Sequence, residues 1–431
     1  MRRESDSENY YRASANRSPP YPAIEGDLSV RVCVIGAGFT GLSTALHLAE
    51  SGHEVALIEA NDVGWGASGR NGGQIHSGFA ASMERVSRLA GPDGARTLWA
   101  LAEEGKALIA ERVARHAIAC DLKPGCVIAA IRPRQLRHIE ARVRRWREVY
   151  GYDRARKLGG DELRAYVGSD AYIGGLLDEG GGHLHPLNYA LGLAEAAAAA
   201  GVRIHARSRA VRLSIEPDPL VETGRGRVRA EFVVLCGNAY LAGLVPSLER
   251  TVMPVRSHMI ATEPLGEPLA STLLPADVAV TDANFVPDYF RLSADRRMLF
   301  GAGASYSTLD PLGVEAHLRR RMARIFPDLA RVRIEHRWEG LLAITMSRVP
   351  RIGRLSPRGA GARVLFAHGY SGHGVALSGV VGKLLAEAVG GQIERFDSLA
   401  RLEHKPFPGG RFLRIPTLVL GTTYYRLRDL L

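Results

Sequence analysis

The sequence predicts an α/β protein, α+β taken as a whole, in which a parallel sheet with crossover helices is interrupted by a second domain built on an antiparallel sheet. Three observations carry this reading. The apolar run Val30-Arg-Val-Cys-Val-Ile35 leads straight into Gly36-Ala-Gly38-Phe-Thr-Gly41 and a helical pattern from Leu42 to Glu50. The same succession of strand, glycine turn and helix recurs near the other end of the chain, as Val364 to Ala367, His368-Gly-Tyr370-Ser-Gly372-His373-Gly374, and Val375 to Ala388. Between them, from Pro254 to Trp338, short strand-like pieces alternate with turns.

The first unit reads as a Rossmann-like dinucleotide site. Gly36 permits the tight turn out of the strand, Gly38 removes a side chain that would block a pyrophosphate, and Gly41 lets helix and strand pack closely. Phosphates would meet free N–H groups and the positive end of the helix dipole. Gly52 suits the helix C-cap, and Glu54-Val-Ala-Leu-Ile-Glu59 is a second strand. Glu59 ends it about 20 residues beyond the glycines, where a carboxylate accepts hydrogen bonds from ribose hydroxyls. The alternative is an ordinary βαβ turn whose glycines serve only packing.

After Glu59 comes Val63-Gly-Trp-Gly-Ala-Ser68-Gly-Arg70-Asn71-Gly72-Gly73-Gln74, too long for a simple connection. Its backbone can approach an extended ligand, with Ser68, Arg70 and Asn71 as donors, or it is a flexible surface loop. The wording Gly-Ala-Ser-Gly-Arg-Asn-Gly-Gly-Gln resembles the FAD-dependent amine and amino-acid oxidases of the D-amino-acid oxidase superfamily, and most of all its gamma-glutamylputrescine oxidases. The resemblance implies FAD rather than NAD, a small-molecule amine as substrate and dioxygen as acceptor. It places the Gly-Tyr-Ser-Gly-His-Gly turn, with Gly372, His373 and Gly374, against the flavin, Val211 near the adenine and Asn238 near the phosphates. It also implies non-covalent flavin, because some relatives attach it through a cysteine near the Trp338 block and no cysteine lies there; His76 is the other conceivable link.

In chain order, residues 1–28 read as an extended polar arm, Tyr10-Tyr11 being similar to the arm of the same oxidases. A helix follows through Arg96 to Ala119, then a strand Cys126 to Ile131, an arginine-rich helix from Arg132, a short helix near Asp161, and a strand Tyr172 to Leu177 broken by Gly180-Gly-Gly182. Pro186 opens a helix ending in the alanine run before Gly201, Val202 to Ile215 forms a strand pair, and Phe232 to Cys236 is a buried strand. We therefore expect an FAD-binding domain from 29–121, 186–245 and 340–395, a discontinuous substrate domain from 122–185 and 246–339, and a tail at 396–431 whose Arg414-Ile-Pro416 and Tyr424-Tyr425 again resemble these oxidases.

Composition narrows the function classes. With 431 residues, 46% of them hydrophobic, the chain can bury a large core in two domains. Its net charge of +11 rests on 56 basic residues, of which only Lys106, Lys123, Lys157, Lys383 and Lys405 are lysines. Seven arginines between Arg132 and Arg147 form a solvated helical face with one interleaved aromatic, Trp146, so no nucleic-acid partner is expected. Cys33, Cys120, Cys126 and Cys236 are too few and too irregularly spaced for a disulfide framework or a metal site, which suits a cytoplasmic setting. No run approaches the roughly 20 apolar residues of a membrane span.

Such an oxidase needs geometry more than acid–base chemistry: the flavin accepts a hydride from the C–H beside an amine, giving an imine that hydrolyses to an aldehyde, with hydrogen peroxide from dioxygen. The residues expected to serve are Arg291, His258 and Tyr370 at the reacting end, and Gln74, Tyr370 and His373 beside the flavin. Arg256, Tyr289, Trp338 and Arg348 are further substrate candidates, an arginine being able to clamp a carboxylate. Ala376 stands where sarcosine-oxidase-like relatives have a lysine for the substrate carboxylate, which favours a longer amine. The expected reaction is oxidative deamination of gamma-glutamylputrescine or a related polyamine derivative. The alternatives are a D-amino-acid dehydrogenase feeding a quinone chain and an FAD-dependent tRNA-modification enzyme.

Overall fold

The computed structural model describes residues 9–16, 19–241, 243–305 and 313–408. The tail motifs at 414–416 and 424–425 lie outside them. Two sheets organise the chain. In the first, five parallel strands stand in the order Val364–His368, Gly226–Leu235, Gly26–Ile35, Val55–Ile58 and Arg203–His205. Arg351–Arg354 adds an antiparallel edge, and Leu220–Thr223 pairs with the outer half of Gly226–Leu235 and carries Ala210–Ser214. Val32, Cys33 and Val34 are wholly buried in succession, as befits a strand covered on both faces.

Helices Phe39–Glu50, Pro186–Ala199 and Gly374–Val389 lie over this sheet. The first and third touch closely: a Cβ on Gly382 would stand 2.6 Å from the Ser43 Cβ, and the Ser43 hydroxyl donates to the Gly379 carbonyl at 2.6 Å. Chain segments far apart in sequence thus share one packing layer.

The second sheet has nine strands, in the order Ile334–Ile344, Met253–Thr262, Met298–Ser305, Asp288–Leu292, Ala279–Asp282, Lys123–Ala130, Gly174–His183 and Gln74–Ile75, with Ala155–Gly159 also paired to Gly174–His183. All its pairings are antiparallel except that of Ala279–Asp282 with Lys123–Ala130. A separate apolar cluster centred on Phe290, Phe300, Phe326 and Leu329 supports it.

Four local expectations need correction. Gly180 to Gly182 do not break their strand but lie within Gly174–His183, where side chains would collide: a Cβ on Gly180 would stand 2.0 Å from the Tyr152 hydroxyl, and one on Gly182 2.4 Å from the Lys123 carbonyl. The two strands between Val202 and Ile215 do not pair with each other, because the first joins the parallel sheet and the second pairs with Leu220–Thr223. The arm is not wholly extended. Asn9 caps a helical turn, Tyr10–Ala13, and Tyr10 and Tyr11 are buried. Finally, the helix expected from Arg96 begins at Met83 and kinks at Gly91, whose φ of +73° precedes Pro92.

Candidate active site

At the first turn the backbone leaves Gly26–Ile35 through Gly36, with φ at +108°, and enters Phe39–Glu50 without a side-chain cap on Gly38. A Cβ on Gly41 would stand 1.9 Å from the Gly36 carbonyl oxygen, and one on Gly38 2.8 Å from Ser68 Oγ. Ser68 Oγ accepts from the Phe39 N–H at 3.0 Å, so the long segment closes over the helix start. Glu59 accepts from the Ala37 N–H at 2.8 Å through one oxygen and from the Asn61 N–H at 2.9 Å through the other. Burial raises its pKa, those backbone donors opposing the rise.

The Val63–Gln74 segment is pinned rather than loose. Asn71 donates to the Ala67 and Ser68 carbonyls, both at 2.9 Å, and accepts from the Gly73 N–H at 2.7 Å. Arg70 is 7% exposed; it donates to the Trp65 carbonyl at 2.7 Å and stacks on the Trp65 ring. The Trp338 indole N–H donates to the Arg70 carbonyl at 3.1 Å, so Trp338 steadies this segment. Gly73 has φ of +73°, and a Cβ there would stand 2.1 Å from the Leu184 carbonyl oxygen.

The distant turn closes on the same region. Gly369 N–H donates to Asn238 Oδ1 at 3.0 Å, Ser371 Oγ accepts from Thr345 N–H at 3.1 Å, and His373 precedes the helix Gly374–Val389. Tyr370 does not face a ligand space. Its hydroxyl meets Thr40 Oγ1 at 2.7 Å, tying this turn to the helix behind the first one, and burial raises its pKa.

A cavity of about 490 Å³ opens between the segments, bounded by Asn71, Gly72, Gln74, Gly340, Gly372 and His373. Nothing lies within 4 Å of where a Cβ on Gly372 would project, so this turn presents bare backbone to open space. The open backbone of the 372–374 turn leaves room in this cavity for a planar ring system, and the Phe39–Glu50 helix start and Glu59, outside it, would take the adenosine and phosphates. Gly36, Gly38, Gly41, Glu59, Ser68, Gly73 and Gly374 are outside the cavity wall, and Val211 is 59% exposed on the strand Ala210–Ser214.

Two of the three expected catalytic groups are committed elsewhere, and the third stands outside the wall. Arg291 is 2% exposed; it donates to the carbonyls of Gly72 and Leu184 at 2.8 Å, to that of Leu292 at 3.0 Å and to the Tyr11 hydroxyl at 3.2 Å. That is a strut under the 72–74 segment, not a clamp for a ligand. Tyr370 is bound to Thr40, as above. His258 is buried, with its Nδ1 3.6 Å from Glu339, which also pairs with Arg256, and it does not line the cavity. Of the remaining candidates Tyr289 and Arg348 do reach the wall, the Tyr289 hydroxyl sharing a hydrogen bond with Ser257 at 2.9 Å.

The sequence reading named His76 only as a conceivable flavin link and missed its surroundings. Gln74, in the short strand Gln74–Ile75, and His76, just beyond it, are two residues apart and both line the cavity. Gln74 donates from Nε2 to the Val280 carbonyl at 2.9 Å, which turns its oxygen toward His76 Nε2 at 3.0 Å; that nitrogen therefore carries the proton, and Nδ1 takes the Cys126 thiol at 3.3 Å. With both ring nitrogens occupied, His76 is poorly placed to form a flavin bond. Its ring lies 5.3 Å from that of His373. Burial lowers the pKa of His76 to about 4 and that of His373 well below the ordinary value, Arg142 adding to both and Arg348 to the second, so both rings are neutral at pH 7. Behind it Ser77 and Tyr152 donate to Asp178, and Lys106 reaches Ser77 and Tyr152.

Comparison with known proteins agrees with this layout. The family model for FAD-dependent oxidoreductases, DAO, matches residues 31–388. Gamma-glutamylputrescine oxidoreductase of Escherichia coli is 42% identical over 98% of both chains, and D-amino acid dehydrogenase 2 of Pseudomonas aeruginosa is 26% identical over 89% of this chain and the whole of that one. Among solved structures, glycine oxidase from Geobacillus kaustophilus superposes with a TM-score of 0.71 at 23% identity, covering 85% of this chain and 95% of its own. The fold of that oxidase is the one described above.

Proposed function

The chain belongs to the DAO family of FAD-dependent oxidoreductases, enzymes that oxidise amines and amino acids, and we propose that its own substrate is gamma-glutamylputrescine or a closely related polyamine derivative. The observation that carries this is the 42% identity, end to end, with an enzyme of that name. Ala376, where a lysine would hold the carboxylate of a small amino acid, supports a longer amine.

When bound, FAD supplies the two-electron acceptor for the substrate C–H. This chain's residues do the rest. The start of Phe39–Glu50, whose Phe39 N–H now donates to Ser68, and the glycines 36, 38 and 41 would hold the pyrophosphate, and Glu59 the ribose. The start of Gly374–Val389 stabilises negative charge at the ring, by its free N–H groups and dipole. Neutral His373 offers a ring nitrogen to the substrate N–H without repelling a cation, and the pinned 70–74 segment and buried Trp338 keep bulk water out. Dioxygen as acceptor, hydrogen peroxide and an aldehyde as products, non-covalent flavin and a cytoplasmic setting complete the proposal. No helix among the described residues is long and apolar enough to cross a membrane.

The test is a screen of the purified flavoprotein with gamma-glutamylputrescine, free polyamines, D-amino acids and N-methyl amino acids. Anaerobic flavin bleaching by the first, with aerobic peroxide, is the expected result. Bleaching by no amine would end the proposal, and dye reduction without peroxide would replace dioxygen by another acceptor.

A further inference from the structure

Arg142 stands on the helix Pro133–Tyr150, on the stripe that also carries Ile139 and Trp146, both buried. It is half-buried and lines the cavity. Among the described residues no hydrogen bond or ion pair engages its guanidinium. The acids of the same wall are otherwise engaged. Glu84 meets Arg145 at 3.4 Å, Asp178 accepts from Ser77 at 2.6 Å, and Asp282 accepts from the backbone and side chain of Asn284 at 3.0 and 2.9 Å. Water removal depresses the Arg142 pKa, with Glu84 the one charge opposing it. A half-buried guanidinium bonded to no carboxylate keeps its planar fork of donors for a ligand, and that fork matches a carboxylate in bidentate fashion.

Its position along the cavity says where that carboxylate belongs. It shares the cavity wall with Glu84, nearly half exposed and on the helix Met83–Arg115, and with His76 and His373, neither of which it bonds. We propose that Arg142 anchors a carboxylate carried by the substrate at the end remote from the reacting amine, which makes the substrate class an amine with a distal carboxylate rather than a free diamine or a polyamine. The inference rests on the amine-oxidation reading and narrows it.

Two measurements on the FAD-loaded full chain test it. In turnover, the ratio of kcat/KM for gamma-glutamylputrescine to that for N-butanoylputrescine, which keeps the amide and loses both charges, should fall about 10- to 100-fold in Arg142→Gln, mostly through KM, with partial recovery in Arg142→Lys. In binding, gamma-glutamylbutylamide, which lacks the oxidisable amine, should perturb the flavin spectrum at concentrations at least tenfold higher in Arg142→Gln than in the parent. An unchanged ratio, or equal loss for both compounds, overturns the role of Arg142 while leaving amine oxidation standing. If no amine bleaches the parent flavin, the oxidation reading fails, and the binding measurement still decides whether Arg142 takes a carboxylate. Arg142→Gln removes no internal bond, so its thermal unfolding should match the parent; should it misfold, Arg142→Lys against the parent carries both measurements.

Discussion

Replacing Arg291 by Met tests whether this arginine is a strut or a substrate clamp. The side chains are similar in length, so the change removes the guanidinium with little change in shape. It leaves the carbonyls of Gly72, Leu184 and Leu292 and the Tyr11 hydroxyl without the donor they now share. Each buried acceptor left unsatisfied costs roughly 1–3 kcal/mol, and the lost bonds are charge-assisted. Relaxation recovers part of this, so about 4 kcal/mol is expected, within the roughly 3–5 kcal/mol seen when one side of a buried charged network is removed. Because Gly72 lines the cavity, FAD affinity should fall together with stability. The assay is denaturant unfolding of the apoprotein alongside FAD titration followed by flavin fluorescence. A variant that unfolds like the parent, binds FAD normally and shows only a raised KM for the amine would refute the strut and restore the clamp.

Other outcomes follow from the same geometry. Gly41→Ala drives a Cβ to 1.9 Å from the Gly36 carbonyl, which should cost about 3 kcal/mol or more and yield protein that purifies without flavin; a yellow, FAD-replete Gly41→Ala would contradict the turn. Asp282 is 2% exposed, and burial, with Asp288 adding, raises its pKa from 3.8 to about 7. A raised carboxyl pKa means stability that is complete below about pH 4 and is lost as pH rises through 7, at most about 4 kcal/mol over that window. Asp282→Asn should flatten that part of the stability profile and exceed the parent in stability at pH 8; an unchanged slope would show that Asp282 ionises without cost. Acid precipitation should release all the FAD into the supernatant, since His76 has both ring nitrogens engaged; a yellow pellet would mean a covalent link.

How far this was legible in the sequence depends on which part of a residue matters. Glycine turns are legible because the constraint lies in the residue itself: no other residue type can stand at Gly36 or Gly41. Buried parallel strands are legible for the same reason, their apolar runs being continuous. Side-chain partnerships are not. Arg291 and Arg142 have the same chemistry in the sequence, yet one is fully bonded and the other has no bond among the described residues. Nothing near Arg291 in the sequence announces its bonds, because most of its partners come from residues 11, 72 and 184. Gly180 to Gly182 misled for a related reason. Glycine runs usually end strands, and what permits one here is a tyrosine and a neighbouring strand that no local window contains. For Arg142 a signal did exist. Gln135, Ile139, Arg142 and Trp146 recur at spacings of four, three and four, one face of a helix, and three of the four are buried. An arginine on that stripe is not a solvated charge, and the count of seven arginines hid it.

The fold explains how a chain so rich in arginine keeps most of these side chains from acting on the 372–374 turn. Arginines of the covering segment and of the substrate sheet are spent on backbone carbonyls or carboxylates: Arg70 on Trp65, Arg291 on Gly72 and Leu184, Arg256 on Glu339. The two glycine turns are held together not by charge but by hydroxyl contacts, Tyr370 to Thr40 and Ser43 to the Gly379 carbonyl. With the histidines beside the turn neutral, Arg142 is the positive charge that lowers the proton affinity of both rings, Arg348 adding at His373. Neutralising Arg142 with a bound carboxylate removes its contribution. Substrate binding should therefore raise the His373 pKa, making the ring a better acceptor for the amine proton once the far end of the substrate is seated. Histidine titration followed by NMR, with and without gamma-glutamylbutylamide, should show an upward shift that Arg142→Gln abolishes; equal pKa values in the two states would separate the anchor from the reacting end.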